Sequence, residues 1–384
     1  MRKGFSLLIL LTIFSAHASN ELLYIEKDQF KTAKDANTII KKYLHPINAR
    51  LTLEKKRLEM LLSGKYKFVE INSIETEDIP EIENDKPMHG LLNAQAPWHY
   101  TNINADAAAR LIKNPKEVIV AVCDSGFEED HSDLQGQSVP GFNFVDNSYD
   151  TTPYTHHGTM VSGIIVGKRN SIFNSSGIAP FVKIMPLKIT TKKGSTTLST
   201  IVDCIKYGVD HGAKVINVSF TGVNNDSIEE AGRYARLHGS LLVYSAGNQG
   251  RNRRTWPDHK NVFIIGGTQE QNTRWNCNRW YKLCGSNFGD FVDVVAPARN
   301  IFTTRAFVTF GGDTHSAPNG TSFSAPIVSA IAALIYSINP NFTADQVEDI
   351  IQSTTQTVGS GSTYVYGHGL VDAEAAVKKA LKSI

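Results

Sequence analysis

Short, mostly apolar runs rich in β-branched residues recur between residues 118 and 296 of this 384-residue chain, and each stops at a turn. They read VIVAVC at 118–123, KIMPLKI at 183–189, KVINVSF at 214–220, LLVYSA at 241–246, VFIIG at 262–266 and VDVVA at 292–296. Runs of that length without strict polar alternation suit strands buried on both faces, as in a parallel sheet. Helical patterns fill the gaps between them, so the expected fold is α/β: three layers, a mostly parallel sheet with helices on both faces. Ser227-Ile-Glu-Glu230 and Thr343-Ala-Asp-Gln346 have capping-box form and predict two helix starts. The stretch from Ile327 to Ile338 is almost wholly apolar and predicts a buried helix, and a last helix is expected from Asp372 to Leu381.

The pattern differs before residue 87. Arg2 and Lys3, an apolar run from Phe5 to Phe14 and Ala16-His17-Ala18 have the three-part form of a secretory signal peptide over residues 1–18. That run is short for a membrane span, and no later segment reaches the length without charge, so none is expected once the signal is removed. Residues 19–86 are rich in Lys and Glu and poor in Gly. Helices are expected at Lys31 to Leu44 and Leu51 to Leu62, a strand at Lys67 to Ile71, and an acidic, Pro-bearing linker from Ile74 to Pro87. A separate domain is expected over 87–384.

Composition narrows the function. With 39 basic against 37 acidic residues, the chain lacks the basic excess that draws nucleic acid. Four cysteines suit an exported protein. Cys277 and Cys284 flank a short polar, aromatic loop and predict a local disulfide, whereas Cys123 and Cys204 read as packing residues.

The candidate chemistry sits at element ends. Asp124 follows the first strand, where open α/β sheets place their ligands. His157, followed by Gly158 and Thr159, precedes an apolar stretch, and Asn248 turns the chain after the strand at 241–246. Ser322 lies between small residues just before the buried helix, where free N–H groups and the helix dipole favour developing negative charge. Singly, these are a turn Asp, one of 12 histidines, a turn Asn and an N-cap Ser. Together, in the order Asp, His, Ser, they suit nucleophilic catalysis, with the Asn248 amide as an oxyanion donor.

These residues resemble the subtilisin-like serine proteases, whose chain order is the one seen here. The resemblance runs from about Trp98 to Ala376 and includes Gly177-Ile-Ala-Pro180, Val215-Ile-Asn-Val-Ser219, Ser286-Asn-Phe-Gly289 and Gly367-His-Gly-Leu370. It implies a serine endopeptidase in which Ser322 attacks, His157 moves the proton, Asp124 orients His157, and Asn248 with the Ser322 N–H holds the oxyanion. His156 is assigned to packing or solvent. The resemblance also implies a substrate laid as an added strand between Gly194-Ser195-Thr196 and Ser219-Phe220-Thr221-Gly222, with Gly247 as a further substrate-binding residue. The family commonly has Leu then Gly where this chain has Phe220 and Thr221, which leaves the side-chain preference open. Arg251, Arg253 and Arg254 lie near the wall of the main specificity pocket and read as a solvated charged loop, with a preference for acidic side chains as the alternative.

The family resemblance further implies that residues 19–86 form a propeptide, an intramolecular inhibitor later removed; a permanently attached extension is the alternative. Protein or peptide substrates and a secreted or periplasmic location follow. No cofactor is required. Calcium, which such proteases often carry, has candidate ligands in Asp133 and Asn170, short of the roughly six to eight oxygens it takes. An inactive peptide-binding relative on the same fold would be expected to lack one of the four site residues. An esterase of the α/β-hydrolase type would need G-x-S-x-G and the order Ser, acid, His.

Overall fold

The apolar runs pair edge to edge, as their lack of polar alternation requires. The computed structural model describes residues 20–26, 39–43, 66–72, 74–76, 97–168, 177–279 and 282–384, with side chains from Pro97 onward except 278–283. In the N-terminal part, β1 (Asn20–Glu26), β2 (Ile39–Tyr43) and β3 (Tyr66–Asn72) form an antiparallel sheet in the order β2-β1-β3. The expected strand at 67–71 thus lies within β3. The expected helix at Lys31 to Leu44 is corrected, because its end is β2: Ile39, Ile40 and Tyr43 are strand formers, and they pair along β1. The start of the expected linker is likewise a short strand, β4 (Ile74–Thr76). The signal peptide and the helix at Leu51 to Leu62 lie outside the described residues.

The larger part begins with α1 (Trp98–Asn102) and α2 (Ala105–Leu111), then β5 (Ile119–Asp124), β6 (Phe142–Asn143), α3 (His157–Val166), β7 (Lys183–Lys188) and β8 (Ser195–Thr197). It continues with α4 (Leu198–Asp210), β9 (Val215–Val218), α5 (Asp226–Leu237), β10 (Leu241–Ser245), β11 (Phe263–Thr268), β12 (Asn276–Arg279), β13 (Lys282–Gly285) and β14 (Val294–Pro297). The last elements are β15 (Thr303–Thr304), α6 (Phe307–Phe310), β16 (His315–Ser316), α7 (Thr321–Ile338), α8 (Ala344–Gln352), α9 (Thr363–Tyr366) and α10 (Ala373–Lys382). The Thr343–Gln346 capping box is closed in both directions at α8. At α5 the helix begins at Asp226, before the expected cap at Ser227.

Seven parallel strands make the central sheet in the order β14-β11-β10-β9-β5-β7-β6. After β5 the chain builds β6 and β7 on one side, then crosses to β9 and works outward through β14. The direction reverses between β5 and β9. A crevice opens outside the carboxyl ends of strands at such a switch point; Asp124 ends one of the two strands that flank it, and Ser219 directly follows the other.

Alternation along β5 sorts the layers. Ala121 and Cys123 face α4, where a Cβ on Gly208 would lie 2.8 Å from the Ala121 Cβ. Cys123 is bonded to Cys204 of α4, with Cα atoms 6.1 Å apart. This corrects the reading of the two as packing residues. The bridge ties the strand that ends in Asp124 to its covering helix, and such links contribute about 2–5 kcal/mol. Asp124 faces the opposite layer, where α3 and α7 pack on the sheet and on each other. Helix α7 is long and apolar enough to cross a membrane, but it is buried inside the protein. Cys277 and Cys284 are bonded across the β12–β13 hairpin, as expected.

His99 in α1 is fully buried, and neither ring nitrogen has a hydrogen-bond partner among the described residues. Burial pushes its pKa from 6.5 down to about 3. Between those values the unfolded chain binds a proton that the folded one refuses. Stability is therefore full above pH 6.5 and falls as pH drops toward 3, by at most about 1.4 kcal/mol per pH unit. His99→Phe is expected to narrow the gap in unfolding free energy between pH 8 and pH 5 by about 2 kcal/mol, measured by urea titration. An unchanged gap would contradict this.

Candidate active site

Asp124 and His157 form a buried pair at the end of β5 and the start of α3. His157 Nδ1 lies 2.8 Å from Asp124 Oδ1 and 3.0 Å from Oδ2, with side chains 2% and 1% exposed. A carboxylate accepts here, so Nδ1 carries the proton and Nε2 is left as the basic nitrogen. The Ser125 N–H also donates to Asp124 Oδ1, at 2.7 Å. The close approach requires glycine at 158, because a Cβ there would overlap the Gly126 carbonyl and lie 3.2 Å from the Asp124 Cβ. The free Gly158 N–H in the first turn of α3 donates to Ser125 Oγ at 3.0 Å.

Ser322 is the second residue of α7 and is fully buried. The helix starts after Gly320, whose φ of 151° is closed to side-chain-bearing residues. Pro326 sits inside the helix rather than at its first position. It has no N–H for the Ser322 carbonyl four residues back, so that acceptor needs a partner from outside the helix. Ser219 Oγ supplies it, donating to the Ser322 carbonyl at 2.9 Å. Asn217 Nδ2 donates to Ser219 Oγ at 3.1 Å, and Ser329 Oγ donates to Asn217 Oδ1 at 2.9 Å. This buried polar chain pins the start of α7 to the end of β9. It gives Ser219, read from sequence as substrate-binding, a structural contact with Ser322.

Asn248 reaches the same helix start. Its Oδ1 accepts from the Thr321 N–H and from Thr321 Oγ1, both at 2.8 Å, while Thr321 Oγ1 accepts from the Gly247 N–H at 3.1 Å. Its Nδ2 is buried with no partner among the described residues, close enough that a Cβ on Gly320 would lie 3.1 Å away. Phe323, just after Ser322, places its ring 5.6 Å from that of His157. Ser322 is thus bracketed by a residue bonded to Asn248 and one packed on His157. The four residues singled out from sequence converge at the switch point.

Comparison with known proteins gives the family. Residues 115–369, well over half of the chain, match the family model for the subtilase family, Peptidase_S8. The chain belongs to the subtilase family. It is 29% identical over 370 residues to a thermophilic serine proteinase of Bacillus sp. strain AK1, covering 92% of this chain and 86% of the relative. Thermitase of Thermoactinomyces vulgaris is 32% identical over 262 residues, 67% of this chain and 88% of its own length. Subtilisin Savinase of Lederbergia lenta is 31% identical over 284 residues, 73% of this chain and 98% of its own. This subtilase is a serine endopeptidase acting on proteins or peptides, and its reaction needs no cofactor.

The other expected site residues fall as follows. Phe220 is fully buried, its ring 6.3 Å from that of His157, and the Thr221 carbonyl accepts from Tyr244 Oη at 2.7 Å. Ser195 begins β8, and Gly194 makes the turn before it with a φ of 69°. Gly247 has a φ of 92°, and a Cβ there would lie 2.7 Å from Asn287 Nδ2, which donates to the Ala246 carbonyl. Of the basic cluster, Arg253 lies 4.5 Å over the Trp256 ring and donates to Gln249 Oε1, while Arg251 and Arg254 are exposed. The calcium reading finds no support at Asp133. Its Oδ2 pairs with His315 Nε2 at 3.0 Å and its Oδ1 accepts from Ser132 Oγ, so the carboxylate is turned to protein donors. Asn170 lies outside the described residues, and among those described no group of three or more His, Cys, Asp or Glu is placed to hold a metal ion.

Thr321 and Ser125 escaped the sequence reading. Thr321 was legible in principle, being the β-hydroxyl residue directly before Ser322 at a helix start. Ser125 shows its role only once α3 is seen to begin above it.

Proposed function

We propose that this subtilase cleaves peptide bonds through Ser322, His157 and Asp124, with Asn248 and the Ser322 N–H binding the oxyanion. The observation that carries the reading is the Asn248 amide. Its carbonyl end is fixed by Thr321, and its NH2 end is buried at the mouth of α7 without a partner among the described residues. An unmade hydrogen bond of that kind costs about 1–3 kcal/mol, and a donor held ready for charge that appears only during the reaction accounts for that cost.

In this mechanism His157 Nε2 takes the proton from Ser322 Oγ as the oxygen attacks the scissile carbonyl. The carbonyl oxygen gains negative charge and is held by Asn248 Nδ2 and the helix-start N–H. His157, now charged and stabilised by Asp124, passes its proton to the leaving amine. Water then enters by the same route in reverse and releases the acyl group. The substrate lies extended along β8 and the segment after β9, where backbone groups supply the pairing. Residues 1–18 direct export, and residues 19–86 act as a propeptide that holds the cleft until removed.

Asn248→Ala is expected to lower kcat on a quenched peptide about 10²- to 10³-fold with little change in KM, a scale set by subtilisin itself. A kcat within twofold of the unaltered protein would overturn the oxyanion assignment.

A further inference from the structure

Six large apolar side chains are exposed among the described residues, and two of them, Val308 at 53% and Phe310 at 45%, share the short α6. Helix α6 is the tip of the β15–β16 hairpin, and it is anchored on the side of the site that carries His157. Thr303 Oγ1 donates to the Met160 carbonyl at 2.6 Å and Thr304 Oγ1 to that of Thr159 at 2.9 Å, fixing the hairpin root to α3. The buried Glu128 carboxylate accepts from the N–H groups of Thr309 at 2.7 Å and Val308 at 3.2 Å, fixing the tip. The Glu128 N–H donates in turn to Thr159 Oγ1. The Phe310 ring meets that of His156 edge-on, centroids 4.7 Å apart, one residue before His157. Of the two roles expected for His156, packing or solvent, the contact with Phe310 bears out packing.

We propose that the ridge of Val308 and Phe310 binds the leaving-group side of the substrate and favours an apolar side chain just beyond the scissile bond. The inference rests on the proposed function. In that mechanism the acyl part of the substrate is held from the β10 and α7 side, by Asn248 and Ser322. The leaving amine takes its proton from His157, so the chain beyond the scissile bond departs past the His157 side, where α6 stands. Its anchors keep the ridge in place without substrate, so little ordering cost falls on binding. An apolar side chain would cover the exposed faces of Phe310 and Val308, whereas an acidic one would lose hydration against them.

The test uses the active protein and three substrates sharing one acyl part: a quenched peptide with Leu after the scissile bond, the same peptide with Asp there, and a methyl ester, whose leaving group is too small to reach the ridge. The unaltered protein is expected to prefer Leu over Asp by about tenfold in kcat/KM. In the double variant Val308→Ser with Phe310→Ser, that ratio is expected to fall to near one, and the loss on the methyl ester is expected to be smaller than that on the Leu peptide by the same factor. A ratio near one in the unaltered protein, a ratio that survives in the variant, or an equal loss on the methyl ester would each overturn the proposal. Hydrolysis of none of the three by the unaltered protein would overturn the proposed function, and this inference with it.

Discussion

Ser322→Ala is expected to lower peptide hydrolysis by about 10⁶ in kcat, the scale that loss of the nucleophile has in subtilisin itself. The residual rate would come from Asn248 and binding alone, because the remaining groups still stabilise the oxyanion when water attacks. The variant should fold. Ser322 acts in the α7 packing through its carbonyl, which Ser219 engages and which alanine retains. Its melting temperature is therefore expected within a few degrees of the unaltered protein. If residues 19–86 are removed by the enzyme itself, the variant should keep them, and intact mass reports this in the same preparation. Turnover lowered less than tenfold would remove Ser322 from the mechanism.

Asp124→Asn is expected to cost about 10⁴ in kcat near neutral pH. The Ser125 N–H donates to Oδ1, so an asparagine would keep its carbonyl oxygen there and turn its NH2 toward His157. Oδ1 would still face His157 Nδ1, but an NH2 in place of Oδ2 would let that nitrogen accept instead, and the proton would then shift to Nε2, the nitrogen proposed to take the proton from Ser322. The geometry would survive while the tautomer would be wrong. The expected result is a large fall in kcat with a smaller change in KM, read from steady-state kinetics on one quenched peptide. A fall of less than about tenfold would show that His157 does not depend on Asp124 for its protonation state.

Much of this was legible in the sequence, and for a physical reason. Strands buried on both faces must be apolar throughout, so β5, β7, β9, β10, β11 and β14 stand out as short runs ending in turns. Because chemistry gathers at the carboxyl ends of such strands, Asp124 and Asn248 could be placed before any contact was known. What was not legible depends on contacts between distant elements. Cys123 and Cys204 are 81 positions apart and meet only because α4 covers the face of β5 that Cys123 points to. The link from Ser219 to the Ser322 carbonyl left one trace, the proline four residues after Ser322, and its partner could not be named without the fold. Asp133 looked available because sequence does not show His315 beside it. At β2, a segment with both lysines and β-branched residues satisfied a helical pattern, and pairing with β1 decided it.

The central claim is that Ser322 is the nucleophile and His157 its base. Treating the purified active protein with a fluorophosphonate and mapping the adduct by peptide mass spectrometry tests this most directly. The account predicts one adduct, on Ser322, forming together with loss of peptidase activity and failing to form in a His157→Ala variant over the same time. An adduct on another residue, or full inhibition with Ser322 unmodified, would contradict it.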